Sequence, residues 1–191
     1  MIKRQSLLSL EDYARQRPQF RARVIEHKKA RTVHLGEHVT LQFEDELTVR
    51  YQVQEMLRIE RIFEDAGIEG KLEAYNPLVP DGSNWKATLL IEYPDETQRR
   101  RMLARLKGIG RSAWAQVEGC ERIFAIADED LERENEEKTS SVHFLRFELA
   151  VEMREKLRRG GAVTIGVDHP EYRASAQLDA QARASLAADL A

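Results

Sequence analysis

The sequence predicts an α+β fold in which a mixed, mostly antiparallel sheet is packed by several helices, with a helical arm at the N-terminus. Stretches with helical periodicity and short β-rich stretches follow one another without a regular βαβ alternation, which is typical of this class. The 191 residues include 42% hydrophobic and 33% charged residues. That composition is globular, and the chain is long enough to bury a core.

The composition also narrows the environment in which the protein works. Cys120 is the single cysteine, which excludes an internal disulfide and a multi-cysteine metal site. Apolar runs are too short to cross a bilayer, and residues 1–10 lack the sustained apolar stretch of a secretory signal. We therefore expect a cytoplasmic protein.

Residues 1–31 form a basic block at the start of the chain. They contain nine basic and three acidic residues, a net charge of +6, whereas the whole chain has a formal charge of −3. Ser9 and Asp12 resemble a capping box that opens a helix. Pro18 is expected to end this helix and to begin a second one, which runs to about Ala30. We interpret residues 1–31 as a basic helical arm and residues 32–191 as a single domain.

The middle of the chain alternates between strand and helix patterns. Two β-rich segments around Gly36 predict a hairpin, and apolar residues at helical spacing predict a helix that Gly67 ends. A long loop-rich stretch follows, which makes it a candidate functional loop. The predicted elements are strands at 32–35 and 39–43, a helix at 46–66, a loop at 68–85, a strand at 86–93 and a helix at 94–106.

Shorter elements are expected in the second half. Seven of the ten residues from 128 to 137 are acidic, which indicates a solvated linker or helix, and an alanine-rich stretch near the end favours a final helix. The predicted elements are strands at 113–117, 122–127 and 142–147, a helix from there to about 159, a strand at 162–167 and a helix at 174–190.

The predicted helix at 46–66 carries a carboxylate where apolar side chains are expected. At about 100° per residue, Glu60 falls in the middle of the apolar arc, Gln52 lies inside that arc and Glu55 lies at its edge. A buried ionised carboxylate is unfavourable unless it is paired, hydrogen-bonded or metal-bound. Glu60 therefore either faces an interior polar site together with Gln52 or Glu55, or pairs with an arginine from a neighbouring element.

Other acidic and histidine side chains are candidates to join such a site. Glu92 lies on the half-polar face of its predicted strand, His143 lies in a later strand, and His169 follows the next one. Together with Glu55 and Glu60 they would suit a non-haem metal such as iron or manganese. No pair has a recognised ligand spacing. If the two histidine-bearing strands run parallel, the histidines lie about 15–20 Å apart and one metal cannot bind both; if residues 142–147 form a helix or a loop, this objection disappears. For each histidine alone, a structural, hydrogen-bonded role is favoured.

Several short motifs are spread over nearly the whole chain. They are Phe43-Glu44, Thr48, Gln52, Glu55-Met56, Arg58, Glu60, Tyr75-Asn76-Pro77-Leu78, Pro80, Glu92-Tyr93, Val142-His143-Phe144, Asp168-His169-Pro170 and Tyr172. Together they resemble a bacterial family of about this length, catalogued as a domain of unknown function (number 3501). The resemblance implies no established activity. Because genes of this family often lie beside those for rubrerythrin-like proteins and an iron–sulfur oxidoreductase, it implies a role in redox or peroxide defence and a partner among these proteins.

Two functions of different classes follow from these observations. The first is an accessory or binding protein of a bacterial redox or oxidative-stress system, which docks on an acidic partner through the arm. Its 68–85 loop, with Gln52, Tyr75 and Asn76, would hold a ligand or a partner segment. The alternative is a non-haem metal-binding protein or metalloenzyme with a Glu/His site. Nucleic-acid binding is less favoured, because the arm has only two aromatic residues and matches no known reader motif. The sequence leaves catalytic activity and oligomeric state open.

Overall fold

The structure, a computed structural model, describes all 191 residues and confirms the α+β class. In chain order the elements are α1 (Leu10–Lys29), β1 (Thr32–Leu35), β2 (Val39–Glu44), α2 (Glu46–Glu60), α3 (Asp65–Tyr75), β3 (Asn84–Ile91), α4 (Glu96–Arg105), β4 (Ala113–Val117), β5 (Ile123–Phe124), β6 (Ile126–Ala127), β7 (Val142–Glu148), α5 (Val151–Arg158), β8 (Val163–His169), β9 (Tyr172–Gln177) and α6 (Ala180–Ala187). Short 3-10 turns lie at Arg4–Ser6, Asn76–Leu78 and Ile109–Ser112.

The strands form two sheets, and every paired strand in them is antiparallel. One sheet has the order β1-β2-β3-β7-β6 and the other has the order β5-β4-β8-β9. At the edges of the two sheets, the Tyr172 hydroxyl of β9 donates a hydrogen bond to the Leu35 carbonyl of β1 at 2.5 Å. Gly36 has a φ of +70°, and a Cβ at this position would collide with that hydroxyl. The hairpin turn therefore requires glycine for two reasons.

Side chains from both sheets merge in one hydrophobic core of 28 buried residues. Alternation along β3 explains how: Trp85, Ala87 and Leu89 are buried while the residues between them are partly exposed. The ring of Trp85 meets that of Phe43 edge to face, and its indole nitrogen donates to the Leu186 carbonyl at 2.9 Å. That bond ties α6 to the centre of the core, because a buried indole N–H needs an acceptor.

A second, smaller hydrophobic cluster joins the N-terminal segment to the helices that follow β2. Its buried members are Ile2, Leu7, Val49, Val53, Leu57, Ile68 and Leu72. They come from residues 1–8, from α2 and from α3. We call this group the helical cluster. None of the helices combines the length and the apolar character that a membrane span requires.

The N-terminal region contains one long helix instead of the two that were predicted. Ser9 caps α1 as expected, since its side chain accepts from the Asp12 amide. Pro18 lies inside this helix and is exposed. The helix continues because Tyr13 and Val24, on either side of the proline, are both buried, so packing outweighs the local break. The division of the chain into an arm and one domain stays a prediction.

The predicted helix at 46–66 ends earlier and is followed by a helix where a loop was expected. Arg61 adopts a left-handed conformation with φ of 54° and caps α2. Gly67 lies inside α3 and does not end α2. The helix α3 forms because Ile68 and Leu72, one turn apart, bury their side chains in the helical cluster.

Three further differences concern the second half of the chain. The predicted C-terminal helix is instead β9 followed by α6, with Asp179 accepting from the Ala182 amide as the N-cap. The strands β7 and β8 lie in different sheets, so they do not form a parallel unit. The acidic segment 128–137 forms no helix, and seven of its ten residues are exposed as expected, but Asp128 and Arg133 are partly buried. Tertiary packing outweighs local propensity in each case.

Candidate functional site

The expected inward orientation of Glu60 is wrong. Glu60 is the last residue of α2, its side chain is 43% exposed, and it pairs with Lys71 of α3 at 2.8 Å. The buried apolar stripe of α2 consists of Val49, Val53 and Leu57. Glu60 lies on the same side of the helix but at its last position, where its side chain reaches Lys71 instead of this stripe.

Glu55 is the carboxylate of α2 that is largely buried, with 13% of its side chain exposed. It accepts a hydrogen bond from the Tyr13 hydroxyl at 2.6 Å, and from Nε and Nη2 of Arg17 at 2.7 and 2.9 Å. The bonds from Arg17 lower the pKa of Glu55 to about 2. Burial and the bond to Glu55 raise the pKa of Tyr13. The cluster therefore fastens α1 to α2 with an ionised carboxylate whose oxygens are already occupied.

The three predicted ligand-binding residues have different surroundings. Gln52 is half-buried on α2 and makes no side-chain hydrogen bond. Tyr75 packs against the helical cluster. Asn76 binds the chain itself: its Oδ1 accepts from the Ile2 amide at 2.8 Å and its Nδ2 donates to the Ile2 carbonyl at 3.1 Å. Sequence reasoning missed Gln54, which is 1% exposed.

Glu92 and His169 are held by nearby groups at separate places in the fold. Glu92 is exposed and accepts from the Thr40 hydroxyl at 2.6 Å. His169 is 7% exposed. Its Nε2 donates to the Lys107 carbonyl at 2.8 Å, and its Nδ1 accepts from the Glu171 amide at 3.1 Å. Both ring nitrogens of His169 are therefore occupied by the protein, which agrees with the structural role favoured from the sequence.

His143 is completely buried, and it fastens to β7 the whole of residues 128–141, which begin with the acidic residues 128–137. We call residues 128–141 the acidic segment from here on. Its Nδ1 lies 2.6 Å from Oδ2 of Asp128, and its Nε2 lies 2.9 Å from the Thr139 hydroxyl and 3.0 Å from the Ser140 carbonyl. The hydroxyl–imidazole–carboxylate order resembles a nucleophilic triad. However, Thr139 is 1% exposed, so its hydroxyl is covered in this structure.

A polar pocket of about 400 Å³ lies beside this buried histidine. Asp128 and Glu134 line it together with Arg111 and Arg133, and Asp128 has a φ of 55°, which is uncommon outside glycine. Each of the two acids already has partners: Arg133 pairs with Asp128 at 3.2 Å, and Glu134 accepts from the Gly108 amide at 2.6 Å. Both of these acids are therefore occupied in holding the acidic segment in place.

The five predicted metal ligands do not converge. No group of three or more His, Cys, Asp or Glu side chains is arranged to hold a metal ion. Glu55, Glu60 and Glu92 contact Arg17, Lys71 and Thr40 respectively, and the two histidines are occupied as described. These residues do not fit a non-haem metal in this arrangement, and metal binding stays a prediction from the sequence.

The helix α1 differs from these sites because several of its basic side chains have no ion-pair partner. Of the nine basic residues in the first 31, five have an ion-pair partner, which leaves Lys3, Arg21, Arg23 and Lys28. Arg21, Ile25 and Lys28 follow one another at i, i+4 and i+7, so they form one stripe along the helix. Ile25 is 50% exposed. We call these three residues the α1 stripe.

Comparisons with known proteins agree with one another. The sequence model of the family described as "Protein of unknown function (DUF3501)" matches residues 1–190. The chain is similar to a protein of unknown function from Burkholderia pseudomallei K96243, whose crystal structure has been determined at 1.90 Å resolution. The identity is 56%, the alignment covers 100% of this chain and 99% of that one, and the TM-score is 0.95. No curated protein matches the sequence. Since the family model spans almost every residue, the chain belongs to the DUF3501 family.

Proposed function

We propose that the protein is a binding protein that docks on an acidic surface of a partner protein through the α1 stripe. The observation that carries this proposal is the half-exposed Ile25 between two basic residues that have no ion-pair partner inside the molecule. An apolar side chain surrounded by unpaired charge is a common arrangement at protein interfaces, where the apolar group is desolvated and the charges select the partner.

The charge distribution supports an acidic partner. The first 31 residues have a net charge of +6 in a chain whose total is −3, so the positive potential is concentrated at one end of the sequence. Such asymmetry accelerates the encounter with a negative surface and disfavours a positive one. The occupied side chains of the buried histidines and acids support binding over catalysis, because a catalytic group must be able to reach a substrate.

The finer proposal is that the partner belongs to a bacterial redox or oxidative-stress system. This proposal rests on the resemblance of the sequence motifs to the DUF3501 family. The proposed partner is a rubrerythrin-like protein or an iron–sulfur oxidoreductase. An acidic patch on either protein would complement the α1 stripe.

The experiment measures binding of the purified chain to each of these two proteins from the same organism by biolayer interferometry, at low and at high ionic strength. We expect an affinity for at least one of them that falls as salt rises. The double substitution Arg21→Glu and Lys28→Glu should weaken this affinity by about tenfold or more, because it replaces attraction by repulsion.

A matched control changes the same amount of charge elsewhere. Arg101 of α4 and Arg158 of α5 are exposed and unpaired, and their double replacement by glutamate should leave the affinity nearly unchanged. An equal loss in the control would mean that net charge, and not the α1 stripe, controls binding. Absence of salt-sensitive binding to both proteins would reject the redox-partner proposal.

A further inference from the structure

Residues 1–8 lie on the helices in the manner of a bound peptide. Ile2 and Leu7 are 3% and 7% exposed and insert into the helical cluster, whereas Lys3, Gln5 and Ser6 between them are exposed. The segment is not a strand of either sheet, and its only regular structure is the 3-10 turn Arg4–Ser6. Its attachment therefore depends on two apolar side chains and on the polar contacts of its main chain.

Two amide side chains supply the main-chain contacts, one at each end of the segment. Asn76 pairs with both the amide and the carbonyl of Ile2. Gln54 does the same for Leu8: its Oε1 accepts from the Leu8 amide at 2.6 Å and its Nε2 donates to the Leu8 carbonyl at 3.4 Å. We call these two residues the amide clamps. A side-chain amide that pairs with both groups of one residue recognises an extended main chain whatever the side chain, as peptide-binding proteins do.

The segment does not fill the groove that holds it. Next to residues 1–5 an open volume of about 650 Å³ remains, bounded on the other side by Glu69, Leu72, Glu73 and Pro77. Charge adds a weaker preference for a basic side chain in the bound segment, because Arg4 lies 3.5 Å from Asp65 at the exposed start of α3. The groove thus combines two apolar sockets, two amide clamps and an acidic rim.

We propose that this groove is a peptide-binding site, and that residues 1–8 occupy it as a displaceable intramolecular ligand. Its ligand class is a segment of a partner protein that makes one turn between two extended ends, with aliphatic side chains at its first and sixth positions and a basic one at its third, the spacing of Ile2, Arg4 and Leu7. The site is separate from the α1 stripe, so it does not depend on the function proposed above. Tethering gives the resident segment an effective concentration on the order of millimolar, which keeps weaker peptides out.

The experiment removes the resident segment from the groove in the full chain and offers the same sequence as a free peptide. Ile2→Glu together with Leu7→Glu places two carboxylates in apolar sockets and should release the segment. The probe is a synthetic peptide of residues 1–9 with a fluorophore at its C-terminal end, and binding is followed by fluorescence anisotropy. We expect saturable binding to this release variant, and binding about tenfold or more weaker to the wild-type chain.

Three controls test the contacts one by one. Adding Gln54→Ala and Asn76→Ala to the release variant should weaken the peptide by about tenfold or more, because four hydrogen bonds are lost. A peptide carrying glutamate at positions 2 and 7 should not bind. Lys3→Glu with Ser6→Glu puts two glutamates at exposed positions of the same segment. This variant should bind the free peptide as weakly as the wild type does.

The outcome is decisive in either case. A folded release variant, judged by circular dichroism and gel filtration, that does not bind the peptide would overturn the proposal, as would equal binding after loss of both amide clamps. If the release variant does not fold, hydrogen exchange on the wild-type chain decides the matter. The free peptide is then added at a concentration above the effective concentration of the tethered residues 1–8. Displacement should expose the Ile2 and Leu8 amides of the chain to exchange, and unchanged protection of these amides would refute displacement.

Discussion

Replacing Glu55 by glutamine should remove a pH-dependent part of the stability that joins α1 to α2. The Glu55 carboxylate is bonded by both Arg17 and Tyr13, and its pKa is lowered from an ordinary 4.5 to about 2. An acid whose pKa is lower in the folded state stabilises the fold above the unfolded pKa. That contribution disappears as the pH falls through the folded pKa.

The magnitude follows from the size of the pKa change. Each pKa unit corresponds to about 1.4 kcal/mol, so the full shift of Glu55 would be worth about 3 kcal/mol. Because the side chain of Arg17 is 33% exposed, solvent screens part of the interaction, and we expect about 2 kcal/mol. Glu55→Gln should therefore lower the free energy of unfolding by about this amount at neutral pH. The difference from the wild type should shrink between about pH 5 and pH 2.

The assay is urea denaturation of the wild type and Glu55→Gln at a series of pH values, with the difference between the two proteins as the measured quantity. Taking the difference cancels the titration of other acids. Glu69→Gln serves as the control, because Glu69 is an exposed helical acid without an ion pair, and it should differ little from the wild type at any pH. A Glu55→Gln difference that stays constant from pH 7 to pH 2 would refute the reasoning, since it would assign the effect to packing.

Four further substitutions, at three positions, test contacts in the rest of the fold. Arg31, which is 1% exposed, neutralises the nearly buried Asp189. Arg31→Met should thus cost about 3–5 kcal/mol in urea denaturation, and the loss should shrink in acid as Asp189 becomes protonated. Gly166→Ala places a Cβ in collision with the indole of Trp114, so it should cost about 1–3 kcal/mol and change the tryptophan emission. Asp128→Ala should cost about 2–3 kcal/mol in thermal unfolding, because it leaves a buried imidazole without its carboxylate. Asp128→Asn should cost less, since asparagine tolerates a positive φ.

Local signals predicted most of the elements correctly. The first hairpin, the Ser9 cap and the strands around His143 depend on residues close together in sequence, where turn chemistry and periodicity operate. The end of α2 could not be predicted in this way. Arg61 takes a left-handed conformation that glycine usually provides, and Gly67 is an interior helical residue. The local sequence pattern therefore predicted the wrong C-terminal end for α2.

The polar contacts were harder to predict than the elements, because their partners are distant in sequence. Gln54 was not among the predicted site residues, yet the N-terminal segment covers it and the residue is buried. The available signal was the apolar character of Ile2 and Leu7. Two apolar side chains near the N-terminus need a surface on which to be buried, and that surface includes the side of α2 that carries Gln54. Glu55 was correctly singled out, but its partner Arg17 lies 38 residues away, and only the packing of α1 on α2 brings the two together.

Several polar side chains of this protein share one task, which is to attach a segment of the chain to the rest of the fold. The amide clamps hold residues 1–8, His143 holds the acidic segment 128–141, and Arg31 holds the last turns of the chain through Ser185 and Asp189. Each group attaches a segment outside the sheets to the sheet and helix framework, and its hydrogen bonds are satisfied in doing so. A segment attached by a few polar contacts opens at lower free energy than the core strands do. The surfaces that such opening exposes, the peptide groove first among them, are therefore where a partner can gain access without unfolding the protein.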